Sequence, residues 1–195
     1  MAEVLPIRLY GDPVLRKKAR PVTDFSEIPR LAEDMLETMF EAGGVGLAGP
    51  QVGLQKRIFV AALYHDEPEE EEEERVPLKK RVKETFVMVN PRITFAEGEQ
   101  VGTEGCLSLP GLYSDDVPRK FRVRLEYQDE HGNPKVLEAE DYLARIVQHE
   151  FDHLEGVLFF DRLPPPLRKR FLEENRTELA RMQKEARAFL RELAR

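Results

Sequence analysis

The sequence contains a single cysteine, Cys106, among 195 residues. One cysteine cannot form a disulfide within the chain, and such scarcity is typical of proteins from a reducing compartment. The residues that follow Met1 show no basic segment succeeded by an apolar one, so the sequence predicts no secretory signal. No apolar run approaches the ~20 residues of a membrane-spanning helix. These absences predict a cytoplasmic protein with no membrane partner.

Positively charged residues are fewer than negatively charged ones. The chain has 30 lysines and arginines against 37 aspartates and glutamates, which gives a formal net charge of -7. Because nucleic-acid-binding proteins are usually basic, this balance argues against DNA as a partner. Hydrophobic residues make up 41% of the chain, enough for one sizeable core. We therefore expect residues 1–195 to form a single catalytic domain.

Hydrophobic periodicity predicts both helices and strands. Helices are predicted at about 25–41, 141–154 and 167–193, and strands at 57–63, 85–90, 119–127 and 135–138. This order predicts an α+β fold, with mixed or antiparallel small sheets packed around a central metal-binding helix, and a long C-terminal helix within 165–195. Residues 66–83 include an unbroken glutamate run from Glu69 to Glu74 and a basic stretch, which together predict a charged surface loop.

His149 and His153 are two of the four histidines in the chain. Residues i and i+4 face the same side of a helix, so both imidazoles can bind one metal ion. Glu150 directly follows the first histidine, where its carboxylate can take a proton from a nearby water. This H-E-x-x-H pattern is typical of metal-dependent hydrolases. A catalytic site of that kind needs a third protein ligand and an open coordination position.

The segment Glu104-Gly105-Cys106-Leu107-Ser108 offers a candidate for the third ligand. A cysteine thiolate is a soft ligand that suits zinc and related transition metals. Taken alone, the segment also fits a turn that buries its cysteine.

A glycine-rich loop, from Gly44 to Gly53, precedes both segments. It lacks the Gly-Lys-Ser/Thr sequence of a phosphate-binding loop. Its glycines would let the backbone hydrogen-bond an extended ligand, and Gln51 would add a side-chain amide.

Together these segments resemble the three motifs of the peptide deformylase family. Those motifs are a Gly-x-Gly-x-Ala-Ala-x-Gln loop, a Glu-Gly-Cys-x-Ser segment and a Gln-His-Glu-x-Asp-His helix, and this chain has them in that order at 44–51, 104–108 and 148–153. The chain departs from the pattern at Gly49, which stands for an alanine, and in an acidic insert after His65. The family removes the formyl group from the N-terminal methionine of new bacterial polypeptides.

The resemblance implies a role for residues of all three motifs. The implied metal ligands are Cys106, His149 and His153, with Glu150 as the general base. The side-chain amide of Gln51 and the backbone N–H of Leu107 would stabilise the oxyanion. The implied substrate-binding residues are Val45, Gly46, Gly105, Tyr142 and Ile146.

Two further expectations concern residues behind the metal ligands. We predict that Glu104 forms an ion pair with Arg119. Asp152 belongs to the third motif, and we expect it to orient the helix or one of the ligands.

Two histidines and a thiolate suit zinc, iron(II), nickel or cobalt. The resemblance implies one divalent metal ion per chain, iron(II) in the cell, with zinc as another occupant. The implied partners are N-formylmethionyl nascent peptides. One face of the predicted C-terminal helix is basic, which predicts a contact with the ribosome, although the same pattern fits a solvated helix surface.

Two other functions fit part of the sequence. One is an H-E-x-x-H metallopeptidase, whose third ligand would be a downstream histidine or glutamate. Glu155 follows His153 too closely for that role, and no histidine comes after His153. The other is a non-catalytic ribosome-binding homologue, which would have no need of a glutamate in the position of Glu150.

Overall fold

The structure, a computed structural model, describes residues 1–66 and 77–195. A five-stranded antiparallel sheet has the strand order β1-β2-β3-β6-β7, and β4 pairs with β5 in a separate two-stranded sheet. The strands are β1 (Gly46–Ala48), β2 (Ile58–Tyr64), β3 (Val82–Glu97), β4 (Gln100–Cys106), β5 (Leu109–Arg119), β6 (Arg122–Gln128) and β7 (Pro134–Glu140). The helices are α1 (Ile28–Glu41), α2 (Asp141–Leu154), α3 (Pro165–Glu174) and α4 (Arg176–Leu193). This arrangement confirms the predicted α+β fold.

Strand β2 lies inside the five-stranded sheet and is buried on both faces. Its side chains alternate between two apolar clusters, because successive residues of a strand point to opposite faces. Phe59 and Ala61 pack in the cluster that contains Ile146 and Val147 of α2. Ile58, Val60 and Ala62 pack with Met35 and Met39 of α1. The sheet is therefore sandwiched between α1 and α2, and α2 is held as a central helix.

A third apolar cluster joins the β4–β5 hairpin to the C-terminal helices. It contains Leu109 and Val117 of β5, Phe171 of α3 and Met182 of α4. Phe159 and Phe160 join it from a short 3-10 helix that follows α2. This cluster supports the hairpin that carries Cys106.

Two helix boundaries differ from the predictions. Helix α1 begins at Ile28 instead of near residue 25, because Pro29 fits only the first turn of a helix. The predicted long C-terminal helix is divided at Asn175, whose side-chain amide donates to the carbonyl of Phe171 at 2.8 Å. Asn175 has φ -108° and ψ 15°, outside helical geometry, so α3 ends there and α4 begins at Arg176.

The strand predictions fail in four places, the first of which is β1 (Gly46–Ala48), a strand inside the predicted glycine-rich loop. Strand β3 continues past Pro91, because the register with β6 shifts between Val89 and Arg92 and the proline falls in that irregularity. Arg119 ends β5 instead of beginning β6, which starts at Arg122. The β4–β5 hairpin was not predicted as a pair of strands at all. Its two-residue turn, Leu107-Ser108, follows Cys106 directly.

Most of the predicted charged loop, including Glu69 to Glu74, lies outside the described residues. Within the described part of it, Leu78–Arg81 forms a short 3-10 helix and Val82 begins β3. None of the helices in residues 1–66 and 77–195 has the length and apolar character needed to cross a membrane.

Candidate metal centre

Helix α2 spans Asp141–Leu154, as predicted, and carries His149 and His153 on one face. The two rings meet edge to face, with centroids 5.1 Å apart and planes inclined by 67°. Cys106, at the end of β4, lies against them, with its Sγ 3.4 Å from Nε2 of His153. One ligand atom from each of the three residues lies within 4.8 Å of the others. The structure therefore brings the predicted ligand set together in the geometry of a single-ion site.

The surroundings of the two imidazoles suit metal binding. Burial holds the pKa of His153 well below its ordinary value, so its ring is neutral as a metal ligand must be. Burial also acts to lower the pKa of His149, but hydrogen bonding with Cys106 and Glu104 outweighs it and raises that pKa well above the ordinary value. An environment that favours a proton on this ring also favours a metal cation beside it.

Glu150 is only 2% exposed and lies beside the three ligands. Its Oε1 is 3.9 Å from Nε2 of His149, and its Oε2 has no hydrogen-bond partner among the described residues. Burial raises the pKa of Glu150 to about 7, although the neighbouring His149 acts in the opposite direction. A buried carboxylate without a partner is costly unless it meets a ligand or water. Glu150 therefore fits both an adjacent cation and a proton-transfer role.

Glu104 orients His149 from behind. Its Oε1 accepts from Nδ1 of His149 at 2.7 Å, which leaves Nε2 of that ring free to face the metal position. Arg119 donates to both oxygens of Glu104, each at 2.8 Å, so the predicted ion pair is confirmed. Burial by itself raises the pKa of Glu104, but the hydrogen bonds from Arg119 and His149 prevail and lower it to about 2. Glu104 therefore stays ionised whenever the protein is folded near neutral pH.

Asp152 completes this support. It accepts from Nη1 of Arg119 at 2.5 Å and from Arg162 through Nε at 3.0 Å and Nη2 at 2.8 Å. Asp152 thus fixes Arg119, which fixes Glu104, which fixes His149. The expected orienting role of Asp152 corresponds to this chain of contacts.

Replacing Arg119 with methionine should destabilise the fold strongly. The Arg119 side chain is 3% exposed, and its loss would leave the carboxylates of Glu104 and Asp152 buried with fewer partners. Breaking a buried ion pair from one side typically costs ~3–5 kcal/mol. We expect urea unfolding of Arg119→Met to show a loss of at least ~3 kcal/mol. The control is Arg92→Met, which breaks an ion pair whose arginine is 74% exposed and should cost at most ~1 kcal/mol. Equal effects of the two substitutions would contradict this account.

Gln51 lies in a short 3-10 helix, Gly49–Val52, that follows β1. Its Oε1 accepts from the backbone N–H of Ala48 at 2.9 Å, which fixes which end of the amide faces the ligands. Its Nε2 then lies 3.1 Å from Oγ of Ser108 and 3.5 Å from Sγ of Cys106. Leu107 occupies the hairpin turn next to Cys106. Both predicted oxyanion donors are therefore neighbours of the ligand set.

A cavity of about 460 Å³ opens onto Cys106, His149 and Glu150. The predicted substrate-binding residues all line it, namely Val45, Gly46, Gly105, Tyr142 and Ile146. Ile146 is buried in its wall, whereas Val45 and Tyr142 are 37% and 54% exposed and lie at its rim. The cavity is therefore a pocket with an aromatic and aliphatic mouth.

Among the residues around this site that were not predicted are Ser108, Tyr113, Arg145 and Arg162. Arg145 stands four residues before His149, so the same helical spacing that identified the ligands could have indicated it. Arg162 lies beyond the end of α2, and Tyr113 reaches the cavity only because β5 folds back on β4. No local pattern in the sequence marks those two.

The fold and the site are those of a metal-dependent hydrolase class, with two helical histidines and a cysteine placed as candidate ligands and a buried glutamate beside them. Residues 4–169 match the family model described as polypeptide deformylase. The chain belongs to the polypeptide deformylase family, whose members are metal-dependent enzymes that remove N-formyl groups, so the resemblance noted in the sequence is confirmed.

Individual relatives agree with this assignment. A peptide deformylase from Thermus thermophilus is 67% identical over 191 residues, which cover 98% of each chain. One from Acidothermus cellulolyticus is 47% identical over 85% of this chain and 82% of its own. A crystal structure of peptide deformylase from Thermus thermophilus superposes with a TM-score of 0.84 at 62% identity, covering 93% of this chain and 99% of that one. A peptide deformylase from Synechococcus elongatus in complex with actinonin gives a TM-score of 0.75 at 38% identity, over 90% of both chains.

Proposed function

We propose that residues 1–195 act as one catalytic domain that hydrolyses the formyl group from N-formylmethionyl peptides. The observation that carries this proposal is the position of Glu150, a buried carboxylate whose Oε2 has no described partner, beside Cys106, His149 and His153. Those three residues would hold one divalent cation. When bound, the cation would act as a Lewis acid that polarises the formyl carbonyl and acidifies water.

Residues of the protein would then carry out proton transfer and stabilise the developing negative charge. Glu150 accepts a proton from the attacking water, a contribution that is typically ~10²–10⁴-fold in rate. Negative charge grows on the formyl oxygen, where Nε2 of Gln51 and the backbone N–H of Leu107 donate hydrogen bonds. Loss of one such donor typically costs ~10²–10³-fold in rate. Glu150 returns the proton to the leaving amine, and the products are formate and a free N-terminus.

Shape would set the specificity of the pocket. The carbonyl carbon of a formyl group bears only a hydrogen, whereas that of an internal peptide bond bears a further Cα. A crowded site therefore accepts the formyl group and rejects the internal peptide bond. The buried wall at Ile146 and the rim residues Val45 and Tyr142 offer an apolar surface to an unbranched side chain such as methionine.

A formate-release assay with matched peptides tests this proposal. The metal-loaded protein should release one formate for each new amine from formyl-Met-Ala-Ser and leave acetyl-Met-Ala-Ser intact. Cleavage of an internal peptide bond without formate release would instead support the metallopeptidase alternative. The family assignment favours deformylation over both that alternative and a non-catalytic ribosome-binding role.

Replacing Gly46 with alanine should slow the reaction. A Cβ at position 46 would lie 2.8 Å from Cγ, Cδ and Oε2 of Glu150, so the carboxylate would have to move. Misplacing a reacting group by ~1 Å can cost ~10²-fold in rate, and we expect a fall of that order in kcat for Gly46→Ala. The comparison is Gly44→Ala, whose Cβ would lie nearest to the movable side chain of Leu107 and should cost less. Wild-type kcat in Gly46→Ala would show that Glu150 does not need its position.

For the metal, we propose iron(II) in the cell, with zinc, nickel or cobalt as substitutes that the same N₂S donor set accepts. Metal analysis of protein purified without oxygen tests this identity. Iron should predominate and should be lost, together with activity, on exposure to air.

We also propose a cytoplasmic location and a contact between the ribosome and helix α4. Leu179, Met182 and Ala186 face the protein interior, and the opposite face is basic. On that face Arg181 is held by Glu178 and Glu185, whereas the exposed cations Lys184, Arg187 and Arg191 form no ion pair with any described residue. Such cations are suited to RNA phosphates.

Reversing these three charges should weaken ribosome binding. Cosedimentation with ribosomes should fall for the triple variant Lys184→Glu, Arg187→Glu and Arg191→Glu, and the wild-type interaction should weaken as salt is added. The control is a second triple variant, in which Arg92, Arg122 and Arg124 of the sheet are replaced with glutamate. It should cosediment with ribosomes like the wild-type protein. If both triple variants bind equally well, α4 is not the contact.

A further inference from the structure

The metal ligands belong to two separate parts of the fold. Cys106 ends β4 in the two-stranded sheet, whereas His149 and His153 lie on α2, which packs on the five-stranded sheet. A three-ligand site requires these parts to meet in one relative position. The contacts that fix this position matter for the chemistry only if the ligand set proposed above is correct, so the inference rests on that proposed function.

Arg145 links α2 to both strands of the hairpin. Its Nη1 donates to Oε2 of Glu104 on β4 at 2.6 Å and to the carbonyl of Val117 on β5 at 3.0 Å. The guanidinium lies directly against Gly102, where a Cβ would be 3.0 Å from Nη2 and 3.1 Å from Cζ. A larger residue at position 102 would push the guanidinium aside, so glycine there lets the hairpin pack closely on the arginine.

Gln148, one turn further along α2, makes a second link. Its Oε1 accepts from the backbone N–H of Lys120 at 3.0 Å, and its Nε2 donates to the carbonyl of Lys120 at 2.9 Å. Lys120 directly follows the end of β5. The side-chain amide therefore pairs with both polar groups of one backbone residue, as a neighbouring strand would.

These two residues share a face of α2 with a metal ligand. Positions 145, 148, 149 and 152 follow the i, i+3, i+4, i+7 spacing of one helix face. The bonds from Arg145 are buried and those from Gln148 are partly buried, and hydrogen bonds shielded from water in this way fix geometry more tightly than apolar contacts. We propose that Arg145 and Gln148 are positioning residues for the metal centre, which set the place of the Cys106 hairpin relative to the histidines of α2.

The test measures metal retention, not activity. Zinc-loaded protein is mixed with excess EDTA, and the rate of zinc transfer is followed. Substituting residues behind metal ligands typically lowers metal affinity ~10–100-fold, so we expect Arg145→Met and Gln148→Met to release zinc at least ~10-fold faster than wild type. Arg145→Lys, which keeps one charged donor, should fall between Arg145→Met and wild type.

Arg57→Met is the matched control. Arg57 is also a buried arginine that binds α2, through the carbonyl of Leu154 next to His153 at 3.2 Å, but its other partners are Ala19 and Glu155 instead of the hairpin. We expect zinc release from Arg57→Met to stay within about twofold of wild type. This comparison separates loss of positioning from loss of a buried arginine.

Two results would overturn the inference. One is wild-type zinc release from both Arg145→Met and Gln148→Met. The other is equal acceleration in Arg57→Met, which would assign the effect to general destabilisation. Should Arg145→Met fail to fold, Gln148→Met and Arg145→Lys decide the question by the same rates. Failure of the wild-type protein to bind one zinc per chain would count against the proposed ligand set, and so is distinguishable from failure of this inference.

Discussion

Glu150→Gln should lower kcat for formyl-Met-Ala-Ser by about 10³-fold and leave metal binding intact. The substitution keeps the size of the side chain but removes the carboxylate that we propose accepts and returns the proton, a role worth ~10²–10⁴-fold in other enzymes. Burial, which raises the pKa of Glu150 to about 7, places this base near the pH at which it must work. The measurement is single-substrate kinetics with metal content determined on the same sample.

Activity and metal content of this variant must be considered together. Glu150→Gln that retains one metal per chain but has lost activity supports a proton-transfer role. A variant that turns over the peptide within tenfold of wild type would remove Glu150 from the mechanism.

Cys106→Ala should abolish both metal retention and deformylation. Two histidines alone leave a catalytic site one protein ligand short, and Cys106 is the only cysteine in the chain. We expect dialysed Cys106→Ala to hold far less than one metal ion per chain and to show activity at least ~10³-fold below wild type, because the Lewis acid is absent.

The histidines provide the matched comparison for this experiment. His153→Ala should behave like Cys106→Ala, whereas His131→Ala, at an exposed histidine in the turn between β6 and β7, should keep metal and activity. Full metal content and activity in Cys106→Ala would point to a different third ligand, as a metallopeptidase would have.

The ligand helix was the most predictable part of the molecule. Helix α2 spans the predicted residues, and the placement of His149, Glu150 and His153 follows from helical spacing alone. Such information is local, and a single sequence contains it. The expectation that Cys106 joins them needed the family resemblance, because nothing near position 106 reveals which distant element it faces.

The parts that failed depend on non-local pairing. The β4–β5 hairpin is exposed along much of its length and has several glycines and prolines, so it lacks the alternation that identifies a half-buried strand. Strand β3 passes Pro91 only because a shift in register with β6 accommodates the proline. The break at Asn175, where the backbone leaves helical geometry, is a local exception.

The hydrogen-bond network behind the candidate ligands was likewise only partly predictable. The Glu104–Arg119 pair could be predicted as a match of opposite charges, but the sequence did not indicate that Asp152 and Arg162 extend it or that Arg145 joins it from α2. Buried polar contacts between elements are fixed by how the elements pack, and that packing was not available from the local pattern.

The most direct test is an anomalous diffraction map of crystals loaded with one equivalent of zinc, collected at the zinc absorption edge. We predict a single strong peak within bonding distance of Sγ of Cys106 and Nε2 of both His149 and His153, with the carboxylate of Glu150 facing the remaining coordination position. A peak that lacks Cys106 as a ligand, or that lies away from α2, would contradict the account.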